Sequence, residues 1–396
     1  MVGITGTNGK TTAAWILEQG LRALGQTPAL LGTVASRAAQ ETQLQPSAFT
    51  TPEADDFARF AAECVRAGSS HLVMEVSSHG LTQHRTGGIH FRVAAFTNLT
   101  QDHLDFHETM AAYGQAKAEL FLRHAPDVSV IHVGDAFGAE LAVRVRAAGQ
   151  EVCTVGCTED ADLWATGVSS AEGLTATVYD AGTEHTLRSP LVGAHNLENL
   201  LVVLGCLKAL GHPVAESIPA LEHALGAPGR LERVPDPRGV LVLVDYAHTP
   251  DALRRAIASV RPLTSGKLSV VFGCGGDRDA EKRPKMGAAA AAADHVFVTS
   301  DNPRTEDPSA IIAQILPGLH AAGRKEHHIG SDAGYVVEPD RAAAISMALR
   351  LASRGDTVLI AGKGHEDYQI VGTEKRDFDD RVCAAAVIAE IMERAH

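Results

Sequence analysis

The feature that most constrains this chain lies at its start. A short apolar run, Met1 to Thr5, enters Gly6-Thr7-Asn8-Gly9-Lys10-Thr11-Thr12, and a helical pattern then continues to about Leu24, where Gly25 stops it. The glycine spacing is Gly3-x-x-Gly6-x-x-Gly9-Lys10-Thr11, with Ile4 where the usual loop has its first glycine. A strand that turns through glycines into a helix gathers backbone N–H groups and the positive end of a helix dipole around one point. A polyphosphate fits there, with Lys10 reaching its outer phosphates and the Thr11 hydroxyl holding Mg²⁺. GTPases, kinases and motor ATPases share such a loop, so it does not by itself fix the reaction.

The rest of the chain repeats the strand-then-helix pattern. Apolar, β-branched runs at Ser70 to Val76, Arg92 to Asn98, Val128 to Val133, Gly239 to Asp245, Leu268 to Gly273, His295 to Ser300 and Thr357 to Ala361 predict strands. Stretches of helical periodicity separate most of them, among them Asp55 to Ala67, Leu197 to Leu210, Pro250 to Val260 and Ser309 to Leu316. Alternation of this kind predicts an α/β fold with parallel sheets covered on both faces. Val152 to Val192 alternates in shorter runs and predicts a small antiparallel patch. The turn Gly226-Ala-Pro-Gly229 is the best boundary, giving a first domain of residues 1–228, built on the phosphate loop, and a Rossmann-like α/β domain of residues 229–396.

Composition narrows the partners. Lys plus Arg number 35 against 48 for Asp plus Glu, a formal charge of −13, and no basic run stands out. A chain of this charge is a poor candidate for binding nucleic acid or anionic membrane, and no apolar run approaches the roughly 20 residues that span a bilayer. The six cysteines lack CxxC spacing, no targeting segment is visible, and the expectation is a cytoplasmic monomer with reduced, buried thiols. Cys153 and Cys157 lack the second pair that a metal clip needs.

Magnesium takes hard oxygen ligands, and an acid at the end of a buried strand is a common supplier. Leu72-Val73-Met74-Glu75 ends one predicted strand, and the next runs out through Asn98-Leu-Thr-Gln-Asp-His103. Both place polar groups at the carboxyl edge of a parallel sheet, where ligands collect. Glu75 is the acid so placed.

Taken together, these stretches resemble the Mur ligases, cytoplasmic enzymes that add amino acids one at a time to the peptidoglycan precursor. The likeness runs from residue 3 to about residue 381. It is carried by the phosphate loop, Thr50-Thr51-Pro52, Glu75-Val-Ser-Ser-His79, Gln83-His-Arg85, Asn98-Leu-Thr-Gln-Asp-His103, Tyr113-x-x-Ala-Lys117, Asp245-Tyr-Ala-His-Thr-Pro250, Gly275-Gly-Asp-Arg278, Lys282-Arg283-Pro284, Asp301-Asn-Pro-Arg304 and Gly362-Lys-Gly-His-Glu366. The resemblance implies that Gly6 to Thr12 hold ATP, that Thr11, Glu75, His103 and a carbamylated Lys117 serve two Mg²⁺ ions, and that Asn196 and Asn199 meet adenine. Arg230 and Asp245 would serve the γ-phosphate and the ribose. Thr50, Thr51, Ser77, Gln83 and Arg85 match positions that contact the muramoyl peptide.

The implied chemistry is amide formation through an acyl phosphate. Phosphoryl transfer turns a carboxylate oxygen into a phosphate leaving group, which an incoming amine displaces; Lys10, the metal ions and Arg230 would supply charge neutralisation. Asp301, Asn302 and Arg304 have the form found in members that add meso-diaminopimelate to UDP-N-acetylmuramoyl-L-alanyl-D-glutamate, and a planar guanidinium suits that amino acid's distal carboxylate. Arg283, Gly362 and Glu366 match further amino-acid contacts, with Glu366 placed to take the distal ammonium. Two departures stand out. Val133-Gly134-Asp135 lacks an expected Asn before the acid, and the uridine-binding N-terminal domain of this branch has no counterpart here. A fragment or altered start explains the second better than a true loss, because the muramoyl-peptide motifs persist. The competing readings are a folylpolyglutamate-synthetase-like ligase acting on another carboxylate and a catalytically silent nucleotide-binding regulator. Intact Lys10, Glu75, His103 and Lys117 argue against the latter.

Overall fold

The computed structural model describes residues 1–39, 45, 49–326 and 334–395. The chain divides into two compact units, Met1–Ala227 and Pro228–His396. In the first unit the elements run β1 (Val2–Thr5), α1 (Lys10–Ala23), β2 (Pro28–Leu31), β3 (Ser36–Arg37), α2 (Ala54–Arg66), β4 (His71–Glu75), α3 (Ser78–Thr82), β5 (Val93–Phe96) and α4 (Leu104–His107). They continue through α5 (Met110–Leu122), β6 (Val128–His132), α6 (Ala136–Ala147), β7 (Glu151–Gly156), β8 (Leu163–Ser170), β9 (Gly173–Asp180), β10 (Thr183–Ser189), α7 (His195–Ala209) and α8 (Val214–Leu221).

These strands make one sheet in the order β10-β9-β8-β7-β6-β5-β1-β4-β2-β3. β2, β4, β1, β5, β6 and β7 are all parallel to their neighbours in that run. Side chains alternate between two cores. Val2, Ile4, Val73, Val93, Ala95 and Val130 share one with α1, α7 and α8, whereas Leu72, Met74, Ala94, Phe96 and Ile131 share the other with α5 and α6. Burial on both faces is why the strands read as continuous apolar runs. α7 is buried from Leu197 and Asn199 through Leu207, which explains its nearly unbroken apolar sequence.

The antiparallel patch expected at Val152 to Val192 is an edge of this same sheet, and part of it is parallel. β7 follows the crossover helix α6, so it pairs parallel with β6. Only β8, β9 and β10 turn back on one another. Ala181 and Gly182, both at positive φ, form the two-residue link of the last hairpin. β2 escaped the sequence reading because Pro28 opens it, yet a proline is tolerated at the first residue of a strand.

The second unit runs β11 (Glu232–Val234), β12 (Leu241–Asp245), α9 (Pro250–Val260), β13 (Leu268–Phe272), α10 (Lys282–Ala290), β14 (His295–Val298), α11 (Pro308–Ala321) and β15 (Gly334–Val337). α12 (Arg341–Leu351), β16 (Thr357–Ala361), β17 (Tyr368–Val371), β18 (Glu374–Asp377) and α13 (Asp380–Ala395) complete it. Its main sheet has the order β11-β12-β16-β13-β14-β15, parallel except for β11. β17 and β18 form a separate hairpin. The cysteines only partly meet expectation: Cys64, Cys206 and Cys274 are buried, Cys153 and Cys383 are half-buried and Cys157 is exposed, all as free thiols. Cys157 follows the last residue of β7, where the chain leaves the sheet, so it has no core to enter.

One ion pair in this unit has no access to solvent. The Arg341 guanidinium donates through Nε and Nη2 to the two Asp380 oxygens, each at 2.7 Å, and through Nη2 to the Ala361 carbonyl at 3.1 Å. It ties α12 and α13 to the end of β16. Asp380→Ala would strand a buried guanidinium, and urea unfolding should show a loss of about 3–5 kcal/mol in this unit. Asp251→Ala, which breaks exposed pairs with Arg254 and Arg255, should leave the transition in place. Equal behaviour of the two variants would show that the buried pair carries no special weight.

Candidate active site

The loop between β1 and α1 is held from behind by the chain leaving β5. Thr7 N donates to the Asn98 carbonyl at 2.8 Å, Asn8 N to Asn98 Oδ1 at 3.0 Å, and Thr97 Oγ1 to the Asn8 carbonyl at 2.6 Å. Thr7 Oγ1 donates to the Thr100 carbonyl at 3.1 Å. Asp135 caps α6 through Gly138 N and also accepts from Leu99 N at 2.8 Å, so it braces the same segment. Gly9, at φ 85, is the N-cap of α1, with no side-chain cap. A Cβ there would sit 2.3 Å from Asn199 Oδ1, so only glycine lets the turn pass that close. Asn199 is itself fixed, donating to Asn196 Oδ1 at 3.0 Å, while Asn196 donates to the Val192 carbonyl.

Below the loop lies a buried carboxylate. Thr11 Oγ1 donates to Glu75 Oε2 at 2.8 Å; Thr33 donates to Glu75 through its N–H at 2.7 Å and its hydroxyl at 3.0 Å. Thr50 Oγ1 is 2.9 Å from Thr33 Oγ1, and Thr51 Oγ1 donates to the Glu75 carbonyl at 3.1 Å. The same Thr51 hydroxyl accepts from Ser77 N, and Arg85 donates to the Thr51 carbonyl and pairs with Glu53 at 3.0 Å. Thr50, Thr51, Ser77 and Arg85 thus join one network with Glu75. Gln83 C-caps α3.

Both lysines point at the loop. Lys10 Nζ donates to the carbonyls of Gly6 and Thr7 at 2.8 and 2.9 Å, and Lys117 Nζ, from α5, donates to the Gly6 carbonyl at 2.8 Å. Lys117 is buried, and its ammonium lies 4.4 Å from the Tyr113 ring centre. Burial, then the charge of Lys10, holds its pKa far below that of an ordinary lysine. Tyr113 donates to Thr7 Oγ1 at 3.2 Å, and burial pushes its phenol up to about 12. His103, at φ 51, packs against Tyr113 and His79, with ring centres 5.9 and 4.9 Å apart. Burial, and after it His103, lowers the pKa of His79; burial, and after it His79, lowers that of His107.

The second unit gathers its predicted residues at the carboxyl ends of its strands. Asp245, ending β12, accepts from Leu231 N and Ala247 N at 2.8 and 2.9 Å. Its pKa is raised by burial, which Arg230 opposes. Arg230 lies 4.9 Å from the centre of the Tyr246 ring, and its Nε is buried without a partner among the described residues. Asn302 Nδ2 donates to Glu366 Oε2 at 2.9 Å, Arg304 Nη1 to the Gly276 carbonyl at 2.8 Å, and Gly362, at φ 120, would bring a Cβ within 2.6 Å of Asp301 Oδ2. Arg283 is buried and already gripped, with Glu306 accepting from both terminal nitrogens at 2.8 Å and Gln314 from one.

Residues 4–207 match the Mur ligase middle domain, and residues 229–364 match the Mur ligase glutamate ligase domain. The chain belongs to the Mur ligase family. A relative from Synechococcus elongatus named UDP-N-acetylmuramoyl-L-alanyl-D-glutamate--2,6-diaminopimelate ligase is 47% identical over 402 residues, covering 98% of this chain and 76% of its own. One of the same name from Geobacter metallireducens is 43% identical over 409 residues, covering 100% and 79%. A solved structure of a ligase so named matches at 34% identity and a TM-score of 0.73, covering 99% of this chain and 78% of that one. The MurF ligase of Thermotoga maritima in complex with ADP shares the fold, at 19% identity and a TM-score of 0.63.

Mur ligases use ATP and Mg²⁺, and the loop's geometry fits both: the helix start lacks a side-chain cap, its backbone passes where a Cβ would not fit, and a threonine hydroxyl and a carboxylate share one hydrogen bond beneath it. The sequence alone does not mark Gly32 and Thr33, which follow the strand that Pro28 conceals, and it assigns no role to Lys363 within Gly362-Lys-Gly-His-Glu366. It also left His79, His107 and Glu306 without roles. No described helix is long and apolar enough to cross a membrane.

Gly32 offers a direct test of the carboxylate's placement, because a Cβ there would lie 2.2 Å from Glu75 Oε1. Gly32→Ala should leave the protein folded by circular dichroism while lowering Mg²⁺-dependent ATP turnover on the order of 100-fold. Gly25→Asn, at a left-handed position with nothing near it, should keep full turnover. Undiminished activity in Gly32→Ala would contradict a metal-binding role for Glu75.

Proposed function

We propose that the chain catalyses ATP-dependent addition of meso-diaminopimelate to UDP-N-acetylmuramoyl-L-alanyl-D-glutamate, a step of peptidoglycan precursor synthesis in the cytoplasm. The observation that carries the reading is the survival of both halves of the required chemistry in a chain 47% identical to a ligase of that name. The phosphate loop with its buried Glu75 is one half, and the group made by Asp301, Asn302, Arg304 and Glu366 is the other.

ATP, when bound, would supply the phosphoryl group that makes a carboxylate of the dipeptide an acyl phosphate, and Mg²⁺ would neutralise the charge that moves with it. The chain's own residues do the positioning. The amides at the start of α1 and Lys10 hold the phosphates, and Thr11 with Glu75 offers oxygen ligands beside them. Asn196 and Asn199 would serve the adenine. Thr50, Thr51, Ser77, Gln83 and Arg85 meet the muramoyl peptide.

Lys117 fits a carbamylated lysine. Its lowered pKa favours the neutral amine, whose lone pair can bond to the carbon of CO2 as an N–H proton leaves, giving an anion suited to a second Mg²⁺. His103 sits beside Tyr113 in the same cluster and is the remaining metal candidate. In the second unit, Arg304 presents a planar cation to the distal carboxylate of diaminopimelate, and Glu366 takes the distal ammonium. The grip of Glu306 on Arg283 leaves that guanidinium to act from a fixed position.

The test is ADP release with UDP-N-acetylmuramoyl-dipeptide and a panel of amino acids. Diaminopimelate alone should stimulate it, and Arg304→Ala should raise the KM for diaminopimelate by about 100-fold while leaving that for ATP within about twofold. Stimulation by lysine or glutamate instead, or equal loss of affinity for both substrates, would remove this assignment.

A further inference from the structure

Lys363 lies in the middle of the amino-acid group, and nothing assigned so far uses it. It has no exposed surface, although lysine is seldom fully buried without partners. Its Nζ donates to Asn302 Oδ1 at 3.0 Å and to the Tyr368 carbonyl, and it lies 3.7 Å from both Asp301 Oδ1 and Glu366 Oε2. Asn302 Oδ1 also accepts from Ile370 N at 2.9 Å.

Those two donors fix the Asn302 amide. With Oδ1 facing the ammonium and a backbone N–H, the amide cannot flip, because a flip would set its NH2 against both donors. Nδ2 must then point to Glu366 Oε2, which it reaches at 2.9 Å. The ammonium also offsets one of the two carboxylates, Asp301 and Glu366, that sit within 4 Å of it. With Arg304, the four charged groups balance, which suits the zwitterionic end of diaminopimelate better than the bare ammonium of lysine.

We propose that Lys363 is a positioning residue for amino-acid selection, which locks the Asn302 amide and through it sets Glu366 and the charge balance of the pocket. The proposal rests on the diaminopimelate-adding function given above. Lys363 touches no substrate in this account. Its removal leaves Ile370 N alone of the two donors to orient Asn302 Oδ1 and takes the ammonium from beside Glu366, so both side chains are less firmly set, while the ATP loop in the other unit keeps its own supports.

The experiment is steady-state kinetics on the full chain, with Lys363→Met, Lys363→Gln, Glu366→Gln and the double variant Lys363→Met/Glu366→Gln. Lys363→Met should raise the KM for diaminopimelate by about 10-fold or more, change kcat less, and leave the KM for ATP unmoved. Its preference for diaminopimelate over lysine should fall. Lys363→Gln, which keeps a donor toward Asn302, should retain more of the affinity, and it carries the test if the methionine variant does not fold. In the Glu366→Gln background, Lys363→Met should add little, as expected of a residue acting through Glu366. An unchanged KM and preference in the lysine variants, or fully additive losses in the double variant, would overturn the proposal alone. A wild-type chain that diaminopimelate does not stimulate would overturn the functional reading and this proposal with it.

Discussion

Glu75 has no exposed surface, and a carboxylate survives there only because polar hydrogens surround it. Thr11 from the start of α1 and Thr33 after β2 supply them. Its own carbonyl is held by Thr51. One residue thus ties the start of α1, the end of β2 and the Thr50-Thr51 stretch together. The parallel sheet makes this possible, because β1, β4 and β2 end side by side and present their last residues along one edge.

The same logic recurs in the second unit with the signs exchanged. There a buried ammonium, Lys363, is made tolerable by Asn302, Asp301 and Glu366, and those are the residues the amino-acid reading needs. A buried guanidinium, Arg341, closes the end of β16 just before Gly362. In each unit a charge that could not be left alone in the interior fixes the geometry of its neighbours.

Much of this was legible in the chain. The strand, glycine turn and helix of Gly3 to Leu24 announced the phosphate loop, and long apolar runs announced strands covered on both faces. Residues fixed by motif, such as Thr11, Glu75 and Lys117, fall close to the loop. What was hidden depends on three-dimensional proximity. β2 was concealed by Pro28, so Gly32 and Thr33 could not be seen to meet Glu75, 42 positions along the chain. The antiparallel stretch looked separate because alternation reports exposure of one face and not which sheet a strand joins. Lys363 lies inside the Gly362-Lys-Gly-His-Glu366 motif, but its burial is a property of the fold.

Central to the account is that the phosphate loop energises a carboxylate, and oxygen isotopes follow that event directly. With UDP-N-acetylmuramoyl-dipeptide labelled with ¹⁸O in its reacting carboxylate, together with ATP and diaminopimelate, mass spectrometry of the inorganic phosphate should show one ¹⁸O atom for each amide formed. Product formed with unlabelled phosphate would contradict the account, because the carboxylate oxygen would then never have been bonded to phosphorus.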